Sequence, residues 1–230
     1  MCGRYKLESD GPTLLECFRL AVAPAWWPRY NIAPTQDAPV VRLGDDGARE
    51  FALVRWGLVP GWAKDPSIGS RMINARSETV AEKPGFRNAM RHRRCLVPAD
   101  GFYEWRRDGR VSRPFRIGLR GGSLFAFAGL WERWQAEGMD PLDTFTILTT
   151  ASNDVVSPIH DRMPVILEPE AADRWLDPAA TWPGDLQPLL VPFPAGRMLA
   201  VAVGPLVNSP RTDDPRCAEA ADTDTNLPLV

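Results

Sequence analysis

The residues that could do chemistry begin at the second position. The chain opens Met1-Cys2-Gly3-Arg4-Tyr5, and loss of Met1 would leave Cys2 with an α-amine and a thiol on one residue. Such a 1,2-aminothiol condenses with aldehydes: the amine forms a Schiff base, and the thiol then adds to the same carbon to close a five-membered thiazolidine. Ring closure within one residue has the advantage of a tethered nucleophile. The ordinary pKa values of an α-amine, about 7.7–8.0, and of a thiol, about 8.5, leave both groups only mildly suppressed at neutral pH. The plainer alternative is a cysteine at a frayed end, and position alone does not separate the two.

Further candidates lie far along the chain. Of the two histidines, His92 sits in Arg91-His92-Arg93-Arg94 and reads as a solvated basic helix end. His160 lies in Ser157-Pro158-Ile159-His160-Asp161-Arg162-Met163-Pro164, where two prolines enforce a non-helical loop ahead of an apolar run. It is either a general acid or base, with an ordinary pKa of about 6.5, or a hydrogen-bonded loop residue. Glu104 falls in Gly101-Phe102-Tyr103-Glu104-Trp105. On a strand, Phe102 and Glu104 share one face and Tyr103 and Trp105 the other. A carboxylate among aromatics loses water, its pKa rises and it suits proton transfer; the alternative is an exposed glutamate on a strand edge. Asn74 and Arg76 would point the same way if extended, suiting a polar ligand that carries phosphate, while Ser77 could cap a following helix. Trp26, Trp27, Trp56 and Trp62 crowd the first third of the chain. Indoles in loops beside arginines can stack exposed bases, worth about 1–3 kcal/mol per base, although tryptophans also fill cores.

The elements that must position these residues are mostly short strands. Helical spacing of Leu14, Leu15, Phe18 and Val22 predicts a helix over residues 12–22. Strands are expected at 39–43 and 51–56 around the turn Gly44-Asp45-Asp46-Gly47. Residues 57–62 read as a rigid loop, and 77–82 and 85–93 as short helices. Strand segments follow at 95–98 and 101–106. Residues 113–119 and 123–131 read as strands paired across Arg120-Gly121-Gly122. Strands at 145–149 and 198–203 and helices at 168–175 and 185–190 complete the set. The expected fold is α+β: one domain over 1–230 with a mainly antiparallel, barrel-like β core, short helices and long ordered loops. Residues 209–230 are expected to form a loose acidic tail.

Composition narrows the function. The chain of 230 residues is 44% hydrophobic and 24% charged, ordinary values for a globular domain. No stretch approaches the roughly 18–20 apolar residues of a membrane span, and no signal-peptide core is present, so a cytoplasmic protein without membrane contact is expected. The four cysteines are scattered with no C-x-x-C pair, which disfavours disulfides and a structural zinc site; no metal or other cofactor is expected. Charge is uneven. Residues 51–120 hold 15 Lys and Arg against 6 Asp and Glu, a balance of +9, leaving −11 for the rest. Either a basic face meets a polyanion such as nucleic acid, or a solvated rim that includes Arg93, Arg94, Arg106 and Arg107 pairs with the acidic remainder.

Six stretches in order carry a resemblance: Met1-Cys2-Gly3-Arg4-Tyr5, Tyr30-Asn31-Ile32-Ala33-Pro34-Thr35, Trp56-Gly57-Leu58-Val59-Pro60, Asn74-Ala75-Arg76-Ser77-Glu78, Gly101-Phe102-Tyr103-Glu104-Trp105 and His160-Asp161-Arg162-Met163-Pro164. Together they resemble the SOS-response-associated peptidase (SRAP) family, which processes abasic sites. The resemblance implies that Met1 is removed and that Cys2 captures the ring-opened aldehyde of an abasic site in single-stranded DNA. The product would be a thiazolidine DNA–protein crosslink that protects the lesion, with reversal and some lyase activity as accompaniments. By position, Asn74, Glu104 and His160 would be the catalytic residues around Cys2. Arg4, Arg76 and Arg162 would contact phosphate, and the loops around Trp56 and Trp62 would stack or wedge bases. The partner would be single-stranded DNA with abasic sites, met by a monomer that joins the nucleoid at damage. Two rivals stand beside this reading: a thiol autopeptidase whose main substrate is its own Met1, and a non-catalytic reader of modified bases.

Overall fold

The computed structural model describes residues 2–221. Strand β1 (Tyr5–Leu7) leads into helix α1 (Gly11–Phe18), then β2 (Arg29–Ile32), β3 (Asp37–Leu43) and β4 (Arg49–Trp56). After a long loop come β5 (Asn74–Arg76), helix α2 (Arg87–His92), β6 (Arg94–Ala99), β7 (Gly101–Asp108) and β8 (Val111–Leu119). The chain continues through β9 (Phe125–Trp134), β10 (Leu142–Ala151), β11 (Arg162–Pro164), β12 (Ile166–Leu167), helix α3 (Pro169–Leu176) and β13 (Met198–Ala202).

These strands make two sheets. One runs β13-β8-β7-β1-β2. In the other, β10, β4, β3, β6 and β9 pair in a ring that returns to β10, a closed five-stranded barrel edged by β5, β11 and β12. Closure leaves no bare edge within the ring. The expected α+β class with a barrel-like core is therefore what the chain adopts. Most pairs are antiparallel, but β4 and β5 both run parallel to β10.

Alternation explains the core. Apolar side chains from the barrel and from the inner face of the other sheet form one buried cluster that includes Tyr5, Trp56, Phe102, Phe127 and Phe145. Trp56 stacks on Phe145 with ring centroids 6.0 Å apart, and Tyr5 meets Trp56 edge-on at 5.3 Å. Burying each such side chain contributes about 1.5–3 kcal/mol. On the outer face of β7, Tyr103 packs in a second cluster with Val203, Val207 and Cys217, against which Tyr30 and Trp105 lean. The period-two reading of β7 thus holds.

Several local expectations do not. Helix α1 is capped by Asp10, which accepts from the Thr13 amide at 3.0 Å, and it stops at Arg19, whose φ of 51° is left-handed. The Leu20 amide then closes on the Leu15 carbonyl at 3.0 Å, so the helix cannot reach Val22, which is exposed. Residues 77–82 are successive turns rather than a helix, closed by three-residue bonds from the Thr79 amide to the Arg76 carbonyl and from the Glu82 amide to the Thr79 carbonyl, 3.1 Å each. Ser77 caps no helix, and its amide bonds the Thr149 carbonyl at 2.9 Å. Residues 185–190 give only a 3₁₀ turn at Gln187–Leu189. The strands expected to pair across Gly121-Gly122 lie in different sheets: β8 pairs with β7 and β13, and β9 with β6, β10 and β12. Positive φ at Gly121 and Gly122, 87° and 73°, marks a crossing point between sheets rather than a hairpin.

Residues 209–221 are not a loose tail. The buried Asn31 amide donates to the Ser209 and Thr212 carbonyls at 3.0 and 2.6 Å, and Asp213 accepts from the Tyr30 and Asn31 amides at 2.6 and 2.9 Å. Cys217 is fully buried beneath them. The remainder of the expected tail, 222–230, lies outside the described residues.

Candidate active site

Four separate elements converge at the start of the chain. The amide of Tyr103 donates to the Arg4 carbonyl at 2.9 Å, which lays the residues before β1 alongside β7. Cys2 is fully buried there, its Sγ 3.9 Å from the Arg4 carbonyl. Asn74, on the short strand β5, donates from Nδ2 to the Cys2 carbonyl at 2.8 Å. The Asn74 Oδ1 is buried and has no protein partner among the described residues.

Glu104 comes from β7, on the same face as Phe102, and only 3% of it is exposed. Burial holds its carboxyl above the ordinary carboxylate range, while the nearby His160 pulls in the opposite direction. The Cys2 thiol is likewise pushed well above its usual value, first by loss of water and then by the Glu104 charge. Cys2, Glu104 and His160 therefore share one electrostatic environment, and the first two are both biased toward their neutral forms.

His160 is carried by the loop that follows β10. Asn153 organises that loop: its Oδ1 accepts from the Val155 and Val156 amides at 3.1 Å each, and its Nδ2 donates to the Phe193 carbonyl at 2.6 Å. The His160 amide then bonds the Val156 carbonyl at 2.9 Å. His160 Nδ1 accepts from the Arg162 amide at 3.0 Å and also lies 2.9 Å from Asp161 Oδ1, two contacts that require different protonation states. The backbone donor is fixed and the Asp161 side chain is 86% exposed, so we assign the proton of the neutral ring to Nε2. An open cleft of about 680 Å³ runs between β7, through Glu104, Trp105, Arg106 and Arg107, and Pro158 to His160.

The other sequence candidates divide. Arg76 is exposed on β5, two residues from Asn74. Arg4 is half-buried: its Nη1 donates to Asn31 Oδ1 at 2.8 Å and to the Val207 carbonyl at 2.7 Å, and its guanidinium lies 5.8 Å from the Trp105 ring. Arg162 forks onto Glu78 at 2.6 and 2.9 Å and bonds the Thr149 carbonyl at 2.6 Å. Both arginines thus also hold the site's walls. Trp62 is 62% exposed and available as a stacking surface. Trp56 is not, contrary to expectation: it is fully buried, with its indole N–H on the Ile73 carbonyl at 2.9 Å. Asn31, Asn153 and Asp213 were missed by sequence reasoning. Asn153 follows a β strand as Ser152-Asn153-Asp154, an Asx-turn signal that could have pointed to it. Among the described residues no cluster of three or more His, Cys, Asp or Glu side chains could hold a metal ion, and no helix is long and apolar enough to cross a membrane.

A family model described as SOS response associated peptidase (SRAP) matches residues 1–210. The chain belongs to this family. It is 45% identical over 224 residues to the abasic site processing protein YoqW of Bacillus subtilis, covering 96% of this chain and 100% of the relative. The abasic site processing protein HMCES of Gallus gallus is 34% identical over 221 residues, covering 83% of this chain and 65% of the longer relative. Among solved structures, a protein of Bacteroides thetaiotaomicron superposes with a TM-score of 0.84 at 27% identity, covering 96% of this chain and 100% of that one. The SRAP match spans every element that feeds the cleft, from Cys2 to the Val207 carbonyl that holds Arg4.

Proposed function

We propose that this SRAP chain processes abasic sites in single-stranded DNA by covalent capture on Cys2. The observation that carries the reading is the Cys2 main chain held by a side chain, Asn74, directly beside a buried carboxylate, Glu104, at one end of a cleft whose walls carry arginines. The names of the relatives supply the substrate class.

In the mechanism, Met1 is hydrolysed away and the Cys2 amine becomes free. His160 donates or accepts the proton that opens the deoxyribose ring to its aldehyde. The amine attacks the aldehyde carbon, and Glu104, biased by burial toward its neutral form, delivers the proton with which the carbinolamine oxygen leaves as water. The Cys2 sulfur then adds to the imine carbon; its proton passes through Glu104 to the nitrogen, closing the thiazolidine with net loss of one water. Asn74 fixes the Cys2 carbonyl and offers Oδ1 to the adduct. Running the same proton path backwards releases the strand. An imine that escapes closure is exposed to β-elimination, which gives a lyase side activity. Glu104 and Cys2 are also the groups that would cut the Met1–Cys2 bond in an autopeptidase step.

Single-stranded DNA is the favoured form because Cys2 is fully buried. A sugar must leave the stack to meet it, and that costs least where no partner strand holds it. The test is intact mass combined with denaturing gels. Protein that has lost one methionine should form a gel-stable adduct with an abasic single strand, shifted by the strand mass minus water. An equal adduct from Cys2→Ala would overturn the reading.

A further inference from the structure

The β7–β8 hairpin extends beyond the site and is strongly basic. Residues 106–113 carry four arginines, Arg106, Arg107, Arg110 and Arg113, and one acid, Asp108. Arg106 and Arg113 stand directly opposite each other in the ladder, a like-charge pair that costs stability unless an anion bridges it. Asp108 does so, 3.1 Å from Arg106 Nη2 and 3.7 Å from Arg113 Nε. Arg107 and Arg110 are exposed, and among the described residues neither has an acidic partner.

This charge is continuous with the cleft. Glu104, Trp105, Arg106, Arg107 and Ser112 line it together. β1 pairs with β7 at Phe102 and Gly101, and the Tyr103 amide bonds the Arg4 carbonyl, whereas Arg107, Asp108, Gly109 and Arg110 at the far end of the hairpin are exposed. At about 3.3 Å per residue, Arg107 stands some 10 Å from Glu104, and Arg110 lies in the turn beyond. A polyanion leaving the site along β7 would meet these guanidinium groups in sequence.

We infer that the β7–β8 hairpin is a docking arm for the phosphodiester backbone on one side of the abasic nucleotide, with Arg107 and Arg110 as its contacts. The inference rests on the function proposed above and assigns a path to the flanking strand. The hairpin binds phosphate without reading bases, so it sets affinity and salt dependence, not sequence preference.

The test uses a labelled single strand with a tetrahydrofuran abasic analogue, which has no aldehyde, so that only non-covalent binding is read. Arg107→Gln/Arg110→Gln should lower the slope of log K against log salt by about 1.4, at roughly 0.7 per lost contact, and Arg110→Gln alone by about 0.7. Neutral methylphosphonate linkages on one side of the lesion should weaken wild-type binding and have no further effect on the double variant. An unchanged slope in variants with the wild-type melting temperature would overturn the inference. So would methylphosphonates that weaken wild type and double variant equally on both sides. A true abasic strand offered to wild type separates the two levels: no adduct means the proposed function fails, whereas an adduct with unchanged slopes means the docking arm alone fails.

Discussion

Cys2 and Cys95 are both fully buried, and loss of water is the first cause holding each thiol well above its usual value. Their surroundings differ. Cys95 lies in the barrel on β6, opposite Gly129 of β9, and its carbonyl accepts the Trp175 indole N–H at 3.0 Å. The charge it feels, from Arg42, acts to lower its pKa. Cys2 instead lies beside Glu104, which raises it further, and its carbonyl is held by the Asn74 side chain. Judged by thiolate fraction, Cys95 would be no worse a nucleophile. What sets Cys2 apart is a neighbouring carboxyl able to move protons, and a backbone amine one hydrolysis away. On the proposed mechanism, the reactivity of Cys2 comes from company rather than from an acidic thiol.

The comparison breaks most completely with alanine at each cysteine. Cys2→Ala should reduce adduct formation to background. Cys95→Ala should keep the adduct while losing about 1 kcal/mol of stability, the usual scale for a buried deletion of this size. Adduct yield and melting temperature, measured on both variants, check this; equal adducts from both would erase the distinction.

Glu104→Gln should come next, slowing adduct formation by about 10²–10⁴, the range for a lost general acid–base. The same change should raise the melting temperature at neutral pH. Burial raises the Glu104 pKa, so the folded protein keeps a proton that the unfolded chain releases at lower pH. The resulting destabilisation is complete above the folded pKa and absent below the ordinary carboxylate value. The gain from Gln should therefore shrink as the pH falls through the acid range. A gain that grew on acidification would contradict a raised carboxyl.

Gly129→Ala perturbs the Cys95 side only. A Cβ there would stand 2.9 Å from Cys95 Sγ and 2.9 Å from Val97 Cγ2, an overpacking worth about 1–3 kcal/mol. For a chain of this size each kcal/mol lowers the melting temperature by about 2–4 °C. Adduct rates measured below that temperature should be those of wild type.

The same contrast shows what the sequence could reveal. Local signals were legible: the Gly44-Asp45-Asp46-Gly47 turn does join β3 to β4, and alternation along β7 does separate Glu104 from Tyr103. Non-local pairing was not. Nothing in Arg120-Gly121-Gly122 states that β8 and β9 belong to different sheets, since the partners that decide it, β7 and β6, lie elsewhere in the chain. Trp56 carried no mark that its indole would face Phe145 rather than solvent. The acidic composition of 209–221 concealed that Asp213 and Cys217 serve as a clasp on β2. Around Cys2 the motif order pointed to Asn74, Glu104 and His160, but only the fold brings Asn74 to the Cys2 carbonyl, Glu104 near its thiol and His160 near Glu104.

Asn74 gives the smallest expected effect and the most local test of the comparison. Its Nδ2 donates to the Cys2 carbonyl at 2.8 Å, as the Trp175 indole N–H does to the Cys95 carbonyl at 3.0 Å. The difference is that Asn74 also brings a buried acceptor, Oδ1, without a protein partner among the described residues, whereas an indole has none to offer. Removing one such hydrogen bond costs about 1 kcal/mol, or about fivefold in rate. Asn74→Ala should slow capture by about that factor, with little change in the DNA concentration needed for half-saturation, because the bond orients Cys2 and holds no strand. Asn74→Asp should be slower still: a carboxylate keeps an acceptor at Oδ1 but faces the Cys2 carbonyl with a second acceptor where a donor stood. If half-saturation moved and the rate did not, Asn74 would be a strand contact, and if Asp and Ala were equal, the amide facing the Cys2 carbonyl would not be what orients Cys2.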